Sequence, residues 1–296
     1  MAPPMTQIMH KQVSQLFKAA CLAELEALKP GNVHIFADGH GMTVNHFIQS
    51  AEAVAKVIAL PDLTLGQRIL HSVQATQKAV ACNTNLGIIL LCAPLVHAAL
   101  MVNDDQLLSQ DDLLSRLKYV LQHTTIDDAN LTFEAINLAK PAGLGTVNEH
   151  DVQQPADCTL LQAMQTAAWR DTIAAQYNNN FDAIFNLALP ILQTSAEDKN
   201  PAWLTTQVYL TFLAIFPDSH LTRKYGEAIA SDIQHQAKEH LTIFNISGNP
   251  KLYQAKLLAW DNEMKQKQLN PGTSADLTVA SLFVHAFTQL LKQNDG

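Results

Sequence analysis

The sequence predicts an all-α protein, built as one multi-helix globular domain. Apolar residues recur at three- and four-residue spacing along most of the 296 residues, which is the spacing of one face of a helix. Alternating apolar and polar runs are scarce, and β-branched residues are not gathered into short blocks. With 48% hydrophobic and 16% charged residues, the chain has ample apolar material for a buried core.

The predicted helices follow one another with short polar breaks. Apolar stripes run from Val13 to Leu28 and from Phe47 to Ile58, and 86–100 is apolar nearly all round, as a central buried helix is. Further helices are predicted at 111–123, 128–139, 160–177, 181–192, 201–216, 221–239 and 251–267, and another after Pro271. The best candidate for a strand is 241–246.

The longest break between predicted helices, 141–157, is open to two interpretations. It is either a linker or a functional loop, whose usual length in a compact domain it has. No internal repeat and no low-complexity tract divides the chain. We therefore expect a single helical domain over 1–296, with long polar active-site loops at helix N-termini.

Charge and cysteine usage restrict the classes of partner. With 19 basic and 27 acidic residues the net charge is -8, so no broad basic surface for nucleic acid is expected. The four cysteines are far apart, which is typical of free thiols in a reducing compartment. No signal peptide and no membrane-spanning stretch is recognisable. We expect a cytoplasmic protein that binds neither nucleic acid nor membrane.

The stretch 270–277 is the most informative part of the chain. Its Pro-Gly pair stops the preceding segment, and Thr273 or Ser274 is predicted to cap a new helix with Asp276 near its third position. A helix N-terminus favours anions. A carboxylate there would repel a bare phosphate, but it can hold a metal ion that itself holds phosphate. The alternative is an ordinary capped surface helix.

A second polar loop, K-P-G-N at 29–32, follows the first long helix. It offers the cation Lys29 and the amide of Asn32, and its continuation adds Asp38 and His40. The alternative is a helix terminator with lysine in the last turn. Because the histidine spacing fits no common zinc pattern, contacts with phosphate or a base are the better prediction.

A third loop, Asn83-Thr84-Asn85, precedes the buried helix. One such residue is enough to cap a helix, and capping is the simplest interpretation. The surplus of hydrogen-bonding groups predicts a ligand, and Gly87 would let that ligand approach the backbone closely.

A fourth polar segment carries Asp218, Arg223 and Lys224 on a loop that opens a helix. Arginine binds phosphate through two hydrogen bonds and lysine as a point charge. The alternative is a solvated basic turn. Arg170 and Asp171 lie inside a predicted helix and are read as surface charges or as further contacts. The chain contains no P-loop, dinucleotide fingerprint or nucleophile elbow.

Taken in chain order, these loops resemble the triphosphoribosyl-dephospho-CoA synthase family (CitG/MdcB-like) over roughly residues 16–290. The family's K-P-G loop is matched at 29–31, its G-x-H segment roughly at 39–40, and its G-V-N-T-H-K-G loop at 81–87. Its D-[ST]-x-[LV]-x-R-K-x-G element is matched at 218–226, and its P-G-G-S-A-D-L-L-A signature from Pro271 onward.

Two departures separate the chain from the family pattern. The His-Lys pair of the N-T-H-K loop is Asn85-Leu86 here, and His40-Gly41-Met42 lacks the acid of the family's H-x-D-M element. The sequences K-P-G-N and N-T-N-L-G are more similar to a divergent branch that we associate with archaea. The same branch is associated with bacteria that run one-carbon chemistry on tetrahydromethanopterin.

The resemblance implies a transferase that moves the triphosphoribosyl group of ATP to the 2′-hydroxyl of 3′-dephospho-CoA and releases adenine. An alternative is phosphoribosyl transfer to an alcohol acceptor in tetrahydromethanopterin biosynthesis. A second alternative, which the missing His-Lys pair fits, is a non-catalytic nucleotide-binding helical protein. The implied cofactor is Mg²⁺, the implied partners are small nucleotide substrates, and a homodimer is possible.

Such a transfer passes through an oxocarbenium-like state, by analogy with glycoside chemistry, and it needs a carboxylate near the ribose and cations at the phosphates. The catalytic candidates are Glu24, Asp38, Asp218 and Asp276, and the metal candidates are Asp276 and Asp218. The substrate-binding candidates are Lys29, Gly31, Asn32, His40, Asn83, Thr84, Asn85, Gly87, Arg223, Lys224, Gly272, Thr273 and Ser274.

Overall fold

The computed structural model describes residues 5–101, 109–141, 150–194, 200–246 and 249–294. Within these ranges all regular elements are helical, so the prediction of an all-α fold is confirmed. The α-helices are α1 (Met5–Glu26), α2 (Val44–Ile58), α3 (Leu65–Val80), α4 (Leu86–Leu100), α5 (Gln110–Gln122), α6 (Ile126–Ala139), α7 (Leu160–Ala167), α8 (Thr172–Asn178), α9 (Leu189–Gln193), α10 (Pro201–Ile215), α11 (Ser219–Tyr225), α12 (Glu227–Ile246), α13 (Gln254–Gln266) and α14 (Gly272–Asn294). A π-helical turn (Ala183–Ala188) precedes α9, and a 3-10 turn (Pro250–Leu252) precedes α13.

Helices α4 and α14 form the centre of the molecule. The apolar sequence of α4 leads to burial on nearly every side, and Ile89 and Leu91 are fully enclosed. Helix α14 packs against α1, α4 and α10, with Phe283 and Phe287 fully buried. Each such side chain contributes about 1.5–3 kcal/mol on removal from water. The N-termini of these two helices are therefore held by the core.

A second apolar cluster forms between α10, α12, α13 and the end of α1. Leu28, Tyr209, Ile233, Leu257 and Met264 are among its buried members. Helices α10 and α14 contribute residues both to this cluster and to the main core. The two clusters are thereby joined through shared helices, and the loop after α1 lies between them.

Helix α3 is absent from the predicted elements. Its buried face includes Ile69 and Val73, but Arg68 is buried on the same helix and interrupts the apolar pattern. The guanidinium of Arg68 is satisfied by donating to the carbonyls of Ile58 and Leu60. A buried arginine on the apolar face, satisfied by the loop just before the helix, weakens the periodic signal of α3.

Two other expectations are wrong. The predicted strand at 241–246 is the last part of α12, where Phe244 continues the buried face of Ile233 and Ala237. The predicted helix 160–177 is two helices, because Asp171 accepts hydrogen bonds from the first N–H groups of α8 and so begins a new helix.

The predicted helix 221–239 is also divided. Gly226, with a φ of +89°, ends α11 before α12 begins. Part of the 141–157 loop, namely 142–149, lies outside the described residues. In the described ranges, no helix combines the length and the apolar character needed to cross a bilayer.

Candidate active site

A cleft of about 580 Å³ opens where four helices begin. Its wall includes residues at the starts of α4, α8, α11 and α14. The first N–H groups of a helix have no partner within the helix, and they carry partial positive charge. At each of the four starts, however, a side chain of the protein already accepts N–H groups: Asn83 at α4, Asp171 at α8, and Asp218 at both α11 and α14.

The cleft brings together most of the residues predicted from sequence. Those in its wall are Glu24, Asn32, His40, Asn83, Thr84, Asn85, Gly87, Arg223, Lys224, Gly272, Thr273 and Asp276. The wall does not include Lys29, Gly31, Asp38, Asp218 or Ser274. The four loops chosen from sequence therefore meet, but individual residues within them have different surroundings.

Asp276 is the fifth residue of α14 and lines the cleft. Among the described residues, no hydrogen bond or ion pair reaches its carboxylate. Burial raises the pKa of Asp276 well above its usual value, and the negative charges of Asp218 and Glu24 raise it further. The positive charge of Arg223 opposes this shift, but no hydrogen bond from a described residue does.

Gly87 makes room for that acid. A Cβ on Gly87 would lie 2.0 Å from Oδ2 of Asp276 and 2.7 Å from Cδ1 of Ile173. Gly87 was predicted to admit a ligand to the backbone, whereas here it admits the Asp276 side chain. Glycine in the first turn of α4 is therefore explained by the position of the carboxylate.

Asp218 caps two helices at once. Its Oδ1 accepts the N–H groups of His220 and Leu221, and its Oδ2 accepts both the N–H and the hydroxyl of Ser274. The expectation that Thr273 or Ser274 caps the last helix is wrong, because α14 already begins at Gly272. The capping carboxylate comes instead from a loop 56 residues earlier in the chain.

Lys29 is completely buried, and its ammonium group is fully used. It pairs with Glu24 and donates to Oδ1 of Asn32 at 3.1 Å and to the carbonyl of Val33 at 2.8 Å. Burial lowers the pKa of Lys29 and raises that of Glu24, and the ion pair opposes both shifts. This geometry lets Lys29 hold Glu24 and Asn32 at the cleft, while its own charge stays behind the wall.

Gly31 turns the chain at the same place with a φ of +83°. Its N–H donates to Oδ1 of Asp261 at 2.8 Å, and its carbonyl lies 2.7 Å from Nε2 of His40. A Cβ would come within 2.7 Å of Met264. Both the backbone conformation and the close packing therefore require glycine.

The Asn83-Thr84-Asn85 loop is anchored on one side and open on the other. Oδ1 of Asn83 accepts the N–H of Leu86 at 3.1 Å, and Oδ1 of Asn85 accepts the hydroxyl of Thr76 at 2.9 Å. Among the described residues, neither side-chain amide nitrogen has a hydrogen-bond partner. Two N–H₂ groups in the cleft wall thus remain available as donors.

Positive charge enters the cleft from α11. Arg223 forms an ion pair with Asp171, the residue that also caps α8. Nε of Arg223 is buried and has no partner in the described part of the chain. Lys224, which is exposed, and Arg170 line the same side. The guanidinium is therefore fixed in place and still has a donor to offer.

Many wall residues were not among the predicted site residues. Polar examples are Arg170, Asp171, His220 and Asn270. Burial lowers the pKa of His220 to about 4, helped by the charges of Arg223 and Lys224, so its imidazole is neutral at pH 7. His220 lies inside the D-S-H-L-T-R-K-Y-G motif, which was the available signal. Asp38, in contrast, is exposed and accepts the N–H of Val44 at 2.8 Å.

The fold and the cleft together define an all-α protein with one polar cleft at the starts of four helices. The family profile of CitG, ATP:dephospho-CoA triphosphoribosyl transferase, matches residues 10–295, and the chain belongs to this family. The reaction of the family moves a triphosphoribosyl group from ATP to dephospho-CoA.

Comparison with solved structures gives the same fold. A protein of Archaeoglobus fulgidus provisionally assigned as a triphosphoribosyl-dephospho-CoA synthase superposes with a TM-score of 0.61 at 20% sequence identity. The match covers 83% of this chain and 98% of the other. No curated protein matches the sequence.

Proposed function

We propose that the family's transfer takes place in this cleft, with Asp276 as its central carboxylate. The observation that supports this proposal is the Asp276 carboxylate, which has no hydrogen-bond partner among the described residues and lines the same cleft as the cations Arg170, Arg223 and Lys224. A buried acid without a hydrogen-bond partner is costly unless a ligand uses it. A substrate that has phosphates and a ribose that becomes cationic would use the positive charges of the cleft as well as its acid.

The proposed reaction exchanges one bond at the ribose for another. The N-glycosidic bond between the ribose anomeric carbon and adenine breaks, and the 2′-hydroxyl oxygen of dephospho-CoA bonds to that carbon. The hydroxyl loses its proton, and the departing adenine takes one up. The ribose carries positive charge in between, as in other glycosyl transfers.

Asp276 suits the ribosyl end of this reaction. Its carboxylate can stabilise the positive charge on the ribose and accept the hydroxyl proton. The raised pKa moves the group toward the operating pH, where a general base is most effective. Glu24, held by Lys29, adds a second negative charge to the same wall.

Arg223 suits the triphosphate. The guanidinium is fixed by Asp171 and keeps its Nε free, and Lys224 and Arg170 add charge beside it. The neutral His220 is proposed to form a hydrogen bond with the adenine, because its imidazole faces the cleft without carrying charge.

Mg²⁺ fits one of the two predicted aspartates. Asp276 offers carboxylate oxygens that no described residue occupies, which suits a hard cation. Asp218 does not fit, because its two oxygens already accept four hydrogen bonds. When bound, Mg²⁺ would neutralise triphosphate charge, and we propose Asp276 as the protein group nearest to it.

The identity of the acceptor has a second candidate. The wall residues Asn85 and Leu86 stand where the family has a His-Lys pair, so one titratable group and one cation are missing from the cleft. An acceptor with less negative charge than dephospho-CoA would tolerate that loss. The candidate is an alcohol precursor of tetrahydromethanopterin, with phosphoribosyl pyrophosphate as the donor.

The test is to incubate the purified protein with ATP, Mg²⁺ and dephospho-CoA and to measure free adenine by chromatography. The proposal expects one adenine for each triphosphoribosylated product, identified by mass. Pyrophosphate release from phosphoribosyl pyrophosphate with a pterin alcohol, without any adenine, would support the second candidate.

If both reactions fail while calorimetry still detects nucleotide binding, the protein is the non-catalytic binder. An exposed charge on α12 offers a matched control: Asp232→Asn removes one carboxylate outside the cleft and leaves turnover unchanged. The cytoplasmic location and the homodimer stay predictions.

A further inference from the structure

A second group of polar side chains lies at the edge of the cleft, on the loop before α7. His150, Asp157 and Cys158 place one ligand atom each within 4.8 Å of one another, and they are the one such group of three among the described residues. Nδ1 of His150 is 2.7 Å from Oδ1 of Asp157 and 3.2 Å from Sγ of Cys158. None of these residues was selected from the sequence.

The three atoms converge on one point. Both Asp157 and Cys158 approach the same nitrogen of His150, and the Cys158 thiol also forms a hydrogen bond with the Asp157 carboxylate. A nitrogen, an oxygen and a sulfur held this close together are three types of metal ligand. A cation placed between them would accept a lone pair from each.

The arrangement is also unlike a nucleophilic Cys-His-Asp triad. In such a triad the acid holds the imidazole nitrogen opposite to the one that faces the nucleophile, whereas here both groups face Nδ1.

The loop itself is built as a metal-binding clamp would be. His150 has a left-handed φ of 51°, which costs energy for a residue other than glycine. Cys158 lies against Phe133 and Ala163, which shield the sulfur from water. Asp157 has a side chain that is 78% exposed, so an ion could enter from solvent.

We propose that His150, Asp157 and Cys158 bind a Zn²⁺ ion that fastens this loop to the cleft edge. Nitrogen, sulfur and oxygen are the ligands that zinc accepts, and three protein ligands leave a fourth position for water. Zinc bonds of about 2.0–2.3 Å imply ligand atoms roughly 3.3–3.8 Å apart, so the cluster needs to open by less than about 1 Å. This site is independent of the proposed transfer reaction.

The first test is the zinc content of the full-length protein, purified without metal-affinity steps from zinc-supplemented medium and measured by mass spectrometry. The expected result is one Zn²⁺ for each wild-type chain and none in Cys158→Ser or His150→Ala. Cys82→Ser is the matched control, since this partly exposed thiol lies outside the cluster, and it should keep its zinc. Wild-type protein without zinc, or equal zinc in wild type and Cys158→Ser, would overturn the proposal.

A second measurement uses wild-type protein alone, in case a variant fails to fold. With Co²⁺ as the probe, a thiolate-to-cobalt charge-transfer band should appear, and bound Zn²⁺ should protect Cys158 from iodoacetamide at least about tenfold relative to protein treated with a chelator. Loss of a direct ligand should weaken zinc binding by about a hundredfold or more, beyond the 10–100-fold cost of losing an outer partner. Absence of the cobalt band together with unchanged alkylation would reject the site.

Discussion

Two polar regions border the same cleft, and they differ in how their charges are satisfied. Around the K-P-G-N loop, Lys29 has three partners and is completely buried. At the start of α14, Asp276 has no hydrogen-bond partner among the described residues, and it faces the cleft. Both residues belong to motifs that define the family resemblance.

The difference separates positioning from chemistry. A charge whose hydrogen bonds are all made within the protein has none left for a substrate, so Lys29 and Asp218 hold other groups in place. A charge that the fold leaves unpaired is costly in the empty protein and available to a ligand. Variants of the two regions should therefore fail in different ways, the first in stability and the second in turnover.

The largest effect is expected for Lys29→Met. Removing the ammonium leaves Glu24 buried without its counterion, and breaking a buried ion pair in this way costs about 3–5 kcal/mol. Denaturant unfolding followed by circular dichroism measures the loss. The control is Glu24→Gln/Lys29→Met, which removes both charges and should recover much of that free energy. A Lys29→Met protein with wild-type stability and lower triphosphate affinity would place the lysine among the phosphate ligands instead.

Asp276→Asn should have the next largest effect, on turnover. The substitution keeps the shape and removes the charge, so adenine release should fall about 100- to 1,000-fold, or about 3–4 kcal/mol in barrier. Helicity should stay at the wild-type level, because no described residue depends on this carboxylate for a hydrogen bond. Unchanged turnover, or loss of helicity, would contradict the assignment.

Gly87→Ala tests whether the position of the carboxylate matters. The new Cβ would meet Oδ2 of Asp276, so the acid must rotate away, and turnover should fall about 10- to 100-fold, the typical cost of a misplaced catalytic group. Stability should change little, because alanine favours the helix by about 1 kcal/mol and offsets part of the clash. Gly39→Ala is the control, since this glycine lies outside the cleft wall and its Cβ would meet only the flexible side chain of Lys265, at 3.2 Å or more. Equal turnover in both variants would show that the carboxylate has no fixed position.

The sequence predicts the central helices well because their signal is local. Leu86–Leu100 carries its apolar pattern within fifteen residues, and the observed α4 has the predicted bounds. The polar loops were also identified, since capping residues and Pro-Gly breaks are local features. What the sequence could not show is which acid is free. The partner of Asp218 is Ser274, 56 residues away, and only the folded chain brings the two together.

The last expected effect distinguishes an unpaired Asp276 from a paired one through the pH dependence of stability. Since the folded-state pKa of Asp276 is raised, the folded protein binds this proton more tightly than the unfolded chain does. Its contribution to stability is therefore complete below the unfolded pKa of about 4 and is lost as pH rises toward the folded pKa. The Asp276→Asn variant has no such group to deprotonate, so its free energy of unfolding relative to that of wild type should grow above pH 4, by up to about 1.4 kcal/mol per pH unit.

Denaturant unfolding of both proteins at several pH values from about 4 to about 7 measures this difference in free energy, in which the contributions of the other titrating groups largely cancel. A difference that stays constant with pH would mean that Asp276 already has a partner that stabilises its charge, and the contrast with Lys29 would disappear.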